Sequence, residues 1–133
     1  MSPRASTSTI RVRYAETDQM GIAHHAEYFA WFEVGRTDLL RQCGTTYREL
    51  EAEGVRLPVI EAAARFLKPA LYDDVIEVHT AIAALGGARV GFTYEVRRQG
   101  TEGPLATGLT EHAAVDARGR PRRLPETLRR SLA

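Results

Sequence analysis

Apolar residues recur along the chain with two different periods. Ile10, Val12 and Tyr14 alternate with Arg11 and Arg13, the period of two that marks a half-buried strand. The stretch before it, residues 1–9, is rich in Ser and Thr and is expected to be a flexible N-terminal arm. After Tyr14 comes a polar run, Glu16-Thr17-Asp18-Gln19-Met20-Gly21, which predicts a loop closed by glycine. From about residue 26 to 43 the period changes. Tyr28, Phe32, Gly35 and Leu39 fall at spacings of four, three and four, which sets them on one helical face. Phe29 and Trp31 widen that face, and Leu40 and Cys43 extend it. The helix would be about 27 Å long. Glycine inside it costs up to about 1 kcal/mol against alanine, and close contact of Gly35 with a flat surface such as a sheet would offset this. Gly44 stands where helices commonly stop. Residues 45–54 are short, charged and helical in composition.

The remainder reads as β. Residues 57–67 hold a mixed apolar run closed by Lys68, Pro69 and Ala70. Ile76, Val78, Thr80 and Ile82 alternate with Glu77 and His79, and Val90, Phe92, Tyr94 and Val96 alternate with Gly91, Thr93, Glu95 and Arg97. Gly86 and Gly87 separate these two strands, and residues 100–104 make a further turn. A last strand is expected over residues 105–115, and residues 125–133 form a terminal helix or a loose tail. Strand, long helix, then four strands joined by short glycine-bearing turns predicts an antiparallel meander. One apolar helix with one sheet is a two-layer α+β domain, taken as a single domain over residues 10–133. A single helix leaves one face or edge of such a sheet uncovered, so association with a second copy is expected.

Composition narrows the function classes. The chain has 133 residues, 44% of them apolar, and a formal charge of +1, which suits one globular domain. Arg118, Arg120, Arg122 and Arg123 form the one dense basic stretch, broken by Gly119 and Pro121 and without aromatics. That is a solvated turn rather than a nucleic-acid surface. Cys43 is the sole cysteine, so no intrachain disulfide forms. With no leader-like apolar segment and no run near the ~20 residues that span a bilayer, the expected location is the cytoplasm without membrane insertion. His24 and His25 are adjacent and point apart from a helix start. No zinc-like ligand spacing accompanies them, and no metal is expected.

The chemistry concentrates in Tyr14-Ala-Glu-Thr-Asp18-Gln-Met-Gly21-Ile-Ala-His24-His25-Ala-Glu-Tyr28. A carboxylate, a glycine and two histidines lie between a strand and a helix start. That start offers unpaired N–H donors and a positive dipole end, which suit an oxygen gaining negative charge beside a carboxylate base or nucleophile.

Continuing into Trp31-Phe32-Glu33 and Arg36, this run resembles the 4-hydroxybenzoyl-CoA thioesterase family, and more closely its Tol–Pal-associated bacterial branch of short acyl-CoA thioesterases. Two weaker likenesses are Arg65-Phe66-Leu67-Lys68-Pro69-Ala70 with Asp73 and Asp74, and the stretch from Ala106-Thr107-Gly108 to Gly119 and Pro121. The resemblance implies a hotdog fold, a five-stranded antiparallel sheet wrapped around one long helix. It also implies a homodimer or dimer of dimers with the site at the interface, and an acyl-CoA substrate with no cofactor beyond that CoA. It implies Asp18 as the catalytic base or nucleophile, the backbone N–H near His25 as the carbonyl-polarising donor, His25 as the assisting histidine and Tyr14 as a site-lining tyrosine. Thr17, Gly21, His24 and Lys68 are the expected substrate-binding positions, and Lys68, Arg65 and Arg89 are the candidates to meet the CoA phosphates. Glu33 and Arg36, three apart, suit a helix-surface ion pair or a role at an interface. His79 and His112 are expected to be surface or packing residues. A hydratase or dehydratase of the same fold and a non-catalytic acyl-CoA binder are the alternatives.

Overall fold

The computed structural model describes residues 5–133. Its elements are β1 (Ala5–Arg11), a 3-10 turn (Tyr14–Glu16), α1 (Glu27–Gln42), α2 (Tyr47–Ala52), β2 (Val59–Phe66), β3 (Val75–Leu85), β4 (Arg89–Arg98), β5 (Ala106–Ala113) and α3 (Glu126–Leu132). The five strands form one antiparallel sheet in the order β1-β3-β4-β5-β2. The expected meander therefore covers only β3, β4 and β5. The long helix carries the chain from one edge of the sheet to the other, so β2 adds beside β5 instead of beside β1.

Part of the stretch expected to be a flexible arm is a strand. Residues 5–9 pair with β3 from Ala5 opposite Ala81 to Thr9 opposite Glu77, and the rest of that arm lies outside the described residues. Ser6 and Ser8 are buried, and their hydroxyls donate to the Gly35 carbonyl at 3.4 Å and to Asp38 Oδ2 at 2.6 Å. The inward face of this strand is polar because it meets the polar flank of a helix. The strand also stops sooner than expected. Val12 is buried and gives its N–H to Asp74 O, but Tyr14 opens the 3-10 turn and is 76% exposed.

α1 packs on the inner face of the sheet. Tyr28, Phe32, Gly35 and Leu39 are buried as their spacing predicts. A Cβ at Gly35 would strike Thr80 Oγ1 and meet Val78, so the glycine seats the helix directly on β3. Phe32 stacks on Tyr94 at 4.3 Å and lies over Gly108, where a Cβ would collide with its ring. Burial of Trp31, Phe32, Leu39, Leu40, Ile76, Val78, Phe92 and Val96 makes this layer the core. A fully buried side chain of this kind contributes about 1.5–3 kcal/mol.

A chain of polar groups crosses the same layer. Tyr94 Oη lies 2.6 Å from Thr110 Oγ1, which lies 2.8 Å from His112 Nε2, and His112 Nδ1 lies 3.0 Å from the Leu57 carbonyl. A carbonyl only accepts, so Nδ1 carries the proton, Nε2 accepts from Thr110 and Tyr94 donates to Thr110. His112 is fully buried. Burial drives its pKa below the usual histidine range, against the Leu57 carbonyl, and the Arg36 charge adds to the lowering. The expected pair of Arg36 with Glu33 forms, but Arg36 is only 8% exposed, so the pair is a surface one on the Glu33 side alone. Glu33 lies in solvent 3.8 Å away, while the guanidinium faces Tyr47 and Tyr94. β2 forms the opposite edge and is exposed along nearly its whole length.

Candidate active site

The loop between the 3-10 turn and α1 is a small hairpin. Thr17 and Ala23 pair across its base, Asp18 N–H donates to Ile22 O at 2.9 Å, and Gly21 N–H returns to Asp18 O at 3.0 Å. Gly21 has φ +79°, the left-handed conformation that this turn needs and that glycine adopts without strain. One carboxylate oxygen of Asp18, Oδ1, accepts the Met20 N–H at 2.8 Å, which fixes the side chain at the hairpin tip. The far strand of the hairpin is pinned by Ala23 N–H to Ala70 O at 2.8 Å. That contact brings the Lys68-Pro69-Ala70 segment against the start of α1.

The helix start is capped from within. His24 Nδ1 accepts the Ala26 N–H at 3.1 Å, and His24 O accepts the Glu27 N–H at 3.0 Å. No acceptor among the described residues takes the His25 N–H, which leaves that donor available at the positive end of the helix. The His24 and His25 rings stack at 4.3 Å, and the His25 ring meets the Phe66 edge at 6.3 Å.

Asp18, Ile22, Ala23, His25, Tyr28, Phe66, Leu67, Lys68 and Pro69 line one cleft of about 370 Å³. Its wall is apolar and aromatic, and its carboxylate, imidazole and ammonium groups are those of Asp18, His25 and Lys68. Of the two histidines, His25 lines this cleft with Asp18 and His24 does not. His24 lines a second depression, of about 550 Å³, with Tyr14, Thr17, Asp18 and Glu27, so Asp18 borders both. Tyr14 does not reach the cleft, because the 3-10 turn directs it outward against Tyr72 at 5.6 Å. The hydroxyl of Thr17, expected at the substrate, donates to Tyr14 O at 2.7 Å, and Gly21 serves the turn. Phe66 and Tyr28, 5.0 Å apart, belong to the cleft although the sequence marked them only as motif neighbours. Their signal was position, next to Lys68 and at the end of the first motif. Cys43 lies at the far end of α1, where burial raises its thiol pKa, away from this cleft.

A strand-edged cleft at a helix N-terminus, on a sheet wrapped around that helix, is the plan of the hotdog enzymes. Residues 12–132 match the model of the Thioesterase-like superfamily, and the chain belongs to that superfamily. YneP of Bacillus subtilis (strain 168), which carries a provisional acyl-CoA thioesterase name, is 39% identical over 111 residues, 84% of this chain and 80% of YneP. The crystal structure of hypothetical protein TT1821 from Thermus thermophilus superposes with a TM-score of 0.89 at 41% identity, covering 96% of this chain and 95% of that one. A DHNA-CoA thioesterase from Staphylococcus aureus superposes with a TM-score of 0.86 at 32% identity, covering 90% of this chain and 80% of that one.

Proposed function

We propose that the chain is an acyl-CoA thioesterase that hydrolyses its substrate to free acid and CoA in the cleft at the start of α1. The observation that carries this is the placement of Asp18 and His25 on one apolar-walled cleft, beside an uncommitted backbone N–H at a helix N-terminus. The thioester carbonyl oxygen takes the His25 N–H, where the helix dipole favours the charge it gains. Asp18 acts on the carbonyl carbon, as general base on a water or as nucleophile, and its Oδ1 is held by Met20 N–H while it does so. The His25 side chain assists Asp18 from the same wall. The acyl group lies against Ile22, Tyr28, Phe66 and Leu67, and Lys68 meets a CoA phosphate at the mouth.

The finer placement belongs to the same proposal: the 4-hydroxybenzoyl-CoA thioesterase family, its Tol–Pal-associated branch, and a cytoplasmic enzyme working as a homodimer or dimer of dimers. Its support is the spacing from Tyr14 to Arg36 and the open edge of β2, where Val59, Ile60 and Phe66 are each close to half exposed. An edge of this kind is a template for a second copy. Among the described residues no helix is long and apolar enough to cross a membrane. The test is release of free thiol from short, long and aromatic acyl-CoAs by wild type and Asp18→Asn. Release by wild type alone is expected. Equal turnover by both proteins would remove Asp18 from the mechanism, and enoyl-CoA hydration without CoA release would replace the reaction.

A further inference from the structure

The reading of Asp18 and His25 leaves one ionisable group beside them without a task. Glu16 is two residues before Asp18 and is only 5% exposed. Its carboxylate is fully engaged. Oε1 accepts the Arg13 backbone N–H at 2.8 Å, and Oε2 accepts the Trp31 indole N–H at 3.0 Å. The Arg13 guanidinium stands 3.6 Å away, with its own side chain in solvent. The backbone of the same residue is engaged as well: Glu16 O accepts the His24 N–H at 2.8 Å. One residue therefore joins the end of the first strand segment, the second turn of α1 and the far strand of the hairpin that carries Asp18.

We infer that Glu16 is a positioning residue for the hydrolysis, an anchor that fixes the Asp18 hairpin against α1 and so sets the spacing between the Asp18 carboxylate and the His25 N–H. This rests on the proposed roles of Asp18 and His25. The argument is geometric. The hairpin is closed by its own backbone bonds and is held to the Ala70–Leu71 segment through Ala23 and Ile22, while residues 16 and 24 join it to the 3-10 turn and α1. Those two residues are bonded to each other, and the Glu16 side chain ties the pair to Trp31, which is buried in the helix face. A carboxylate is a costly tether, because burial penalises its charge. Here that penalty is outweighed by the Arg13 and Trp31 hydrogen bonds and the Arg13 charge, and the carboxyl is held below the usual range. What an apolar contact would not supply is direction: two oxygens and two fixed donors admit one orientation. A shift of about 1 Å in a reacting group costs about 100-fold in rate, which is the scale of error that this anchor suppresses.

The experiment compares Glu16→Gln, Glu16→Ala, Trp31→Phe and Asp18→Asn for kcat, KM and thermal midpoint, well below each variant's unfolding transition. Glu16→Ala is expected to lower kcat by about 100-fold with KM little changed. Glu16→Gln, which keeps one acceptor oxygen, recovers part of that loss, and Trp31→Phe, which removes the indole donor, falls between the two. Adding Glu16→Ala to Asp18→Asn is expected to cost nothing further, because the anchor acts through Asp18. Wild-type kcat in a folded Glu16→Ala protein overturns the inference, as does a loss that multiplies with that of Asp18→Asn. Full turnover by Asp18→Asn itself overturns the reading of Asp18 on which the inference stands, and the two failures are told apart by that single variant.

Discussion

The start of α1 and its middle use the same kinds of residue to opposite ends. At the start, Asp18, His24 and His25 are all exposed and border clefts. Under the middle of the helix, beside buried Arg36, the strand residues Tyr94, Thr110 and His112 are buried and bonded through to the Leu57 carbonyl. At the start, a backbone donor and a carboxylate have capacity left over. In the middle, Tyr94, Thr110 and both His112 nitrogens spend their bonds on one another and on the backbone. Histidine or tyrosine in a motif is therefore no guide to chemistry until its second partner is known. His25 has room for a substrate, and His112 has none.

The largest effect that would break this comparison is on turnover. Asp18→Asn should lower kcat by roughly 10²- to 10⁴-fold, the range for a positioned acid–base group, and leave the thermal midpoint in place. His112→Ala should do the reverse. It leaves Thr110 and the Leu57 carbonyl without their partner and opens a cavity, at a cost of about 3 kcal/mol. Urea unfolding should show the loss, with turnover per folded chain unchanged. If His112→Ala instead removed activity from a stable protein, the two regions would not be separate. Gly35→Ala probes the layer that joins them. The added methyl meets Thr80 and Val78, and overpacking of about 1–3 kcal/mol exceeds the ~1 kcal/mol that alanine gains in a helix. Adding Thr80→Ala, which removes a buried hydroxyl without a hydrogen-bond partner, should restore much of the difference.

The smallest effect is on pH dependence. His112 titrates below the ordinary 6.5 in the folded chain, so the unfolded chain binds the proton first. Its contribution to stability is whole above about pH 6.5 and is lost as pH falls below it. Glu16 has the same sign in a lower window: its carboxyl sits below the ordinary 4.5, so its contribution is present above that value and lost beneath it. Urea midpoints of wild type should decline between about pH 7 and pH 5. His112→Gln should flatten this first limb and leave the second.

Much of the fold was legible because its signals are periodic. The α1 face from Tyr28 to Leu39, the alternation in β3 and β4, and the reason for Gly35 all follow from spacing and size. What was not legible is polar and nonlocal. Ser6 and Ser8 form an inward strand face only because Gly35 and Asp38 face them, and nothing in a serine run announces that. The place of β2 beyond β5 is decided by how far α1 carries the chain. In the site, Asp18, His25 and Lys68 were readable from the motif and do share a cleft. Tyr14 was read with them, but the 3-10 turn sets it in the second depression, with Asp18 and His24, outside that cleft. Glu16, hidden in the same polar run, gives its role only through Trp31, fifteen residues on.

The cleft wall sits at the rim of the chain. Phe66 and Leu67, on its apolar side, remain about half exposed, at 47% and 50%, whereas the residues that hold α1 to the sheet are sealed. Replacing a half-exposed side chain outside the strands, such as Leu67, shifts stability by about 0.5 kcal/mol or less, while a change at Gly35 or Phe32 disturbs the frame. Selection can therefore revise which acyl groups this chain accepts without renegotiating how it folds. Divergence in substrate preference, descendant by descendant, is expected to accumulate at positions 66 and 67 long before it touches the hairpin or the helix.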